Sequence, residues 1–99
     1  MMEQNRRPSS LSLDARRRRL LFRATHRGMK ETEQLFGGFV AAEIATLSET
    51  DLDALEAALA LPDPDLVDWL MGRRPIPAAC DAPVLRRMQA EVRRRMGEA

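Results

Sequence analysis

The chain predicts an all-α protein, a single compact bundle of about five helices, and three observations carry that expectation. Apolar residues recur at spacings of three and four, and no window alternates with period two. Aromatic residues are scarce, with three Phe, one Trp and no Tyr, so Leu, Met, Ala, Val and Ile must fill the interior, which favours helices over strands. Ninety-nine residues at 44% hydrophobic content make one domain with one modest core.

Residues 1–12 form a basic polar stretch that reads as a disordered tail, leaving 13–97 for the helical bundle. Ser12 is a plausible N-cap for a first helix from Leu13 to His26, with Leu13, Leu20, Leu21 and Ala24 sharing a face. Gly28 can end that helix as its C′ residue and open the next. Met29, Thr32, Phe36, Phe39, Val40, Ile44 and Leu47 predict a second, amphipathic helix from Met29 to Ala45. Gly37-Gly38 interrupts it, and mid-helix glycines cost roughly 1 kcal/mol each relative to alanine, so a bend or a tight helix crossing belongs there.

Ser48, with Asp51 three residues on, caps a third helix whose Leu52, Leu55 and Leu59 face inward. Asp63-Pro64 starts a fourth, with the aspartate as cap and the proline in the first turn; Leu66, Trp69 and Leu70 point inward and Gly72 stops it. Arg73 to Ala82, with Pro75 and Pro77, reads as a loop. A last helix runs from Pro83 to about Met96, apolar at Val84, Leu85, Met88 and Val92.

The net charge of +1 conceals a block pattern. Residues 1–30 carry nine basic side chains against two acids, 31–68 carry ten acids and no base, and 69–99 carry seven arginines against three acids. Part of this must neutralise inside the fold, and the remainder steers a partner. One cysteine, Cys80, and one histidine, His26, exclude an intrachain disulfide and a Cys/His zinc site built from one chain, so a reducing compartment is expected. No segment approaches the roughly 18 apolar residues of a membrane span, and residues 1–12 lack the apolar core of a secretory signal. A cytoplasmic protein without membrane insertion is the expectation. The Arg- and Ser-containing start makes the mitochondrial matrix the second choice.

Function concentrates at Arg27-Gly28-Met29-Lys30-Glu31. If a helix starts here, Arg27 and Glu31, four apart, leave one side together beside the bare backbone of Gly28. A structural reading competes: Gly28 as a helix terminator and Glu31 as the carboxylate of a capping box. The Arg-before-Glu order is the weaker orientation for a helical ion pair, which leaves part of the motif for a partner. Arg16 to Arg19 could grip nucleic acid, but successive helical positions turn by about 100° and ring the helix instead of striping it. His26 has no Cys or Ser partner close in sequence and reads as a surface contact, Cys80 as an incidental thiol, and Trp69 as core. No phosphate-cradling glycine loop or paired catalytic constellation is visible, so the chain reads as a non-enzyme with no cofactor bound stably.

The complete Arg27-Gly28-x-x-Glu31 pattern, the lead-in Arg19-Leu20-Leu21-Phe22 and a second block, Pro62 to Met71, resemble the small assembly factors that help covalent FAD become attached to the flavoprotein subunit of succinate dehydrogenase. The resemblance covers roughly Arg16 to Val92, with Thr32 standing where relatives often have an apolar residue. It implies binding to that subunit, with that of fumarate reductase as a second candidate, by a factor that is monomeric when free. The flavin ends up on the partner's own histidine. It also implies a partner-binding set of Arg27, Gly28 and Glu31 with Met29, flanked by Arg19, Arg23 and His26. A small arginine-rich nucleic-acid-binding accessory protein is the alternative from a different class.

Overall fold

The computed structural model describes residues 13–97, which form five helices and no strand. Helix α1 spans Ala15–Thr25. Helix α2 covers residues 30–46 and α3 spans Glu49–Leu59. Helix α4 spans Asp63–Leu70, and α5 spans Pro83–Gly97 after a single 3-10 turn at Ala78–Cys80. The all-α bundle expected from periodicity is what the chain forms. Ser12 and the proposed tail lie outside the described residues.

Local signals set most of the ends. Asp14 caps α1, its carboxylate accepting the Arg17 amide at 2.8 Å, so that helix begins two residues later than its apolar pattern suggests. Ser48 and Asp51 form the expected capping box on α3, with bonds of 3.1 and 3.2 Å. Pro62, not Asp63, is the N-cap of α4, which frees the Asp63 carboxylate for another use. Gly72 ends α4 at φ 81°, a conformation that side chains with a Cβ rarely adopt.

Helix α2 changes pitch as it goes. It starts as a normal helix at Lys30–Thr32, widens into a π turn over Glu33–Gly37, returns to α geometry at Gly38–Glu43 and tightens at Ile44–Thr46. A close approach to α1 accompanies the widening: a Cβ on Gly37 would lie 2.7 Å from the Ala24 carbonyl oxygen. The tight crossing expected at Gly37-Gly38 is therefore made by Gly37 alone. Nothing lies within 4 Å of the corresponding point on Gly38.

The core gathers one stripe from each helix: Leu20 and Ala24, Phe36, Val40 and Ile44, Leu52 and Leu55, Leu66, Trp69 and Leu70, then Val84, Leu85, Met88 and Val92. Helix α1 lies against α2 and α3, while α5 closes the bundle over α3 and α4. Among the described residues, two polar atoms are buried in it without a hydrogen-bond partner, Thr32 Oγ1 and Trp69 Nε1.

Candidate docking site

The junction between α1 and α2 is a short non-helical link, residues 26–29, that bends at His26, Gly28 and Met29. His26 caps the end of α1 and Met29, at φ −117° and ψ 136°, precedes α2 without a side-chain cap. Gly28 is thus neither the C′ residue of one helix nor the opener of the next. Arg27 turns its guanidinium into the bundle: Nε donates to Asp63 Oδ1 at 2.8 Å, Nη1 to the Leu59 carbonyl at 3.0 Å and Nη2 to the Leu61 carbonyl at 3.0 Å. Those carbonyls lie at the C-terminal end of α3, where intrahelical partners run out and a cation is favoured. The side chains of Arg27 and Asp63 are each only 13% exposed.

Two further bonds tie the link. The Met29 amide donates to Asp63 Oδ2 at 2.9 Å, and the Arg27 amide donates to Glu33 Oε2 at 2.7 Å. Burial pushes the Asp63 carboxyl up, but the Met29 amide, the Arg27 guanidinium and the Gly28 amide outweigh it and hold the group below the usual carboxylate range. The expectation that Arg27 and Glu31 leave one side of a helix start together does not hold. Arg27 stands before the helix and points inward, and no capping box involves Glu31.

Gly28 and Glu31 face outward. A Cβ on Gly28 would meet only Asp63 Oδ2, at an ordinary 3.8 Å, and its φ is not positive, so the fold itself has room for a side chain there. Glu31 is exposed and its carboxylate makes no hydrogen bond or ion pair among the described residues. Met29 is half-buried between them. On the outer face of α1, Arg19, Phe22, Arg23 and His26 follow one another at helical spacing and all are exposed. Phe22 is 61% exposed and stacks on His26 with ring centroids 3.9 Å apart, beside an open hollow of about 350 Å³. Phe22 belongs to this surface although periodicity gave it no role, and Asp63 and Glu33 support it from behind. Asp63 lies at the start of the second block of the family pattern, just after Pro62, the one sequence signal that could have pointed to it.

The arginine run is divided between interior and surface. Arg16 forks onto one face of α3, reaching Glu49 at 2.5 Å, Asp53 at 2.6 Å and Glu56 at 2.9 Å. Those bonds hold Glu56 below its ordinary pKa and raise that of Arg16. Arg17 donates to the Ile44 carbonyl at 3.0 Å and to that of Leu47, closing the end of α2. Arg18 donates to the Leu13 carbonyl at 2.5 Å, and Arg19 projects outward. Among the described residues no cluster of three or more His, Cys, Asp or Glu could hold a metal, and no helix is long and apolar enough to cross a membrane.

Fold and site together define a class: a small α-helical bundle with, at the α1–α2 link, an exposed notch left by the missing side chain of Gly28 beside Glu31, Arg19, Arg23 and His26. Within that class the chain belongs to the family described as flavinator of succinate dehydrogenase, whose model matches residues 18–92. It is 51% identical over 86 residues to an FAD assembly factor SdhE of Acetobacter pasteurianus, covering 87% of this chain and 79% of the relative. It is 33% identical over 73 residues to a mitochondrial succinate dehydrogenase assembly factor 2 of Dictyostelium discoideum, covering 74% of this chain and 52% of the relative. An FAD assembly factor SdhE of Legionella pneumophila (strain Paris) is 40% identical over 60 residues, 61% of this chain and 76% of the relative. No solved structure matches the chain.

Proposed function

We propose that this chain is a non-catalytic assembly factor that binds the flavoprotein subunit of succinate dehydrogenase and promotes covalent attachment of FAD to it. Bond formation belongs to the flavin and to the subunit's own histidine. The factor contributes binding energy that favours one arrangement of the partner's domains, which works only through unequal affinity for the partner's conformations. Gly28 lets the partner backbone approach, Glu31 supplies a charged hydrogen-bond acceptor, and Met29 adds adaptable apolar contact. Arg19, Arg23 and His26 flank the approach, and the reading makes the cytoplasm its place of action.

The observation that carries this reading is Gly28. Gly37 and Gly72 are explained by the chain's own packing and backbone, whereas Gly28 has space for a Cβ in the free protein. Gly38 has open space too, but Gly28 is the one that stands exposed beside the unpartnered carboxylate of Glu31, and a close approach from outside accounts for it there. Gly28→Glu is expected to leave helical content by circular dichroism unchanged and to abolish co-purification with the flavoprotein subunit, whereas Gly28→Ala keeps the fold and weakens capture. Full covalent flavin on a subunit matured with only the Gly28→Glu factor would remove the basis of the assignment.

A further inference from the structure

The link that carries Gly28 has no helix to shape it. Its amides are satisfied by side chains from elsewhere: Arg27 N–H by Glu33 and Met29 N–H by Asp63. All three nitrogens of the Arg27 guanidinium are already bonded, to Asp63 and to the Leu59 and Leu61 carbonyls. Reaching a partner would strip a buried carboxylate and two helix-end carbonyls of their donor at once. The sequence signature therefore splits into a part that faces outward and a part that holds it there.

We propose that Asp63 and Glu33 are positioning residues for docking: with Arg27 they hold residues 26–29 in the bent, non-helical path that sets Gly28 and Glu31 outward, and the Arg27 guanidinium stays inside the bundle when the partner is bound. This deepens the proposed function and rests on the reading of that notch as the docking surface. It also explains why the two blocks occur together, since Arg27 and Asp63, 36 residues apart, are the two ends of one latch. Without the latch the link samples other paths, and apparent affinity falls by the fraction of molecules that still present the notch.

Titration of the purified flavoprotein subunit with wild type, Arg27→Gln, Asp63→Asn, the double variant and Gly28→Glu tests this, each Kd being corrected for the folded fraction measured by circular dichroism. Each latch variant is expected to weaken the corrected Kd by about tenfold or more, as a presented fraction of about one tenth requires. The double variant is expected to bind no worse than the weaker single one, because both remove the same constraint. A corrected Kd equal to wild type for Asp63→Asn means the pair merely stabilises the fold and overturns the proposal. Losses that multiply in the double variant mean Arg27 touches the partner itself and also overturn it. Where Asp63→Asn does not fold, Arg27→Lys, which keeps the charge but not the fork, takes its place with the same criteria. Failure of the wild type to bind, or unimpaired binding by Gly28→Glu, overturns the docking reading and the inference with it.

Discussion

Thr32 is buried completely and its hydroxyl has no partner among the described residues. An unsatisfied buried hydroxyl costs about 1–3 kcal/mol, whereas valine has the same shape without the polar atom. Thr32→Val should therefore stabilise the protein by about 1 kcal/mol, raising Tm by roughly 4–8 °C for a chain of this size, as read by thermal unfolding. A lowered Tm would mean that the hydroxyl is satisfied. The same scale shows where sequence reading stops. The outward placement of Gly28, Glu31, Arg19 and Arg23 was expected from spacing and the family pattern, but the inward turn of Arg27 depends on an aspartate 36 residues away. Asp63 beside Pro64 looks like a local cap, and nothing local distinguishes a carboxylate used for its own helix from one used across the fold.

At the level of elements, caps were legible because they are chemistry between neighbours: Ser48 with Asp51 closes its box as the spacing predicts. The π turn in α2 was not. Its glycines signalled a tight crossing without saying which of the two made it, since that depends on how α1 lies against them. The answer makes opposite predictions for adjacent residues. Gly37→Ala should destabilise by roughly 1–3 kcal/mol, because its Cβ would press on a main-chain oxygen that cannot step aside. Gly38→Ala, at φ −62° and ψ −43° with open space around it, should stabilise by up to about 1 kcal/mol. Urea denaturation of the two variants side by side checks both signs.

Over the whole molecule, the charge blocks along the chain become contacts between helices. The acids of α3 at Glu49, Asp53 and Glu56 share a face at helical spacing, a pattern readable in advance, but the choice of Arg16 as their common partner required the packing of α1 on α3. Glu56, through Arg16, and Asp63 are both held below the usual carboxylate range. Each is protonated more readily in the unfolded chain, so the stability it contributes is present above the unfolded carboxylate value of about 4 and is lost as pH falls through the lower folded value. The urea midpoint should accordingly drop between about pH 5 and about pH 2, and Asp63→Asn should flatten that decline. An equally steep decline in the variant would show that Asp63 is not a source of the acid sensitivity.

Cys80, the only thiol in the chain, is 5% exposed on the 3-10 turn packed against α3, and burial pushes its pKa up. A maleimide or disulfide reagent attacks the thiolate, so it must wait until that turn lifts away. The rate at which one label enters thus clocks the breathing of the segment between α4 and α5, and a bound partner that slows the clock would reveal its grip on the bundle at a distance from the notch.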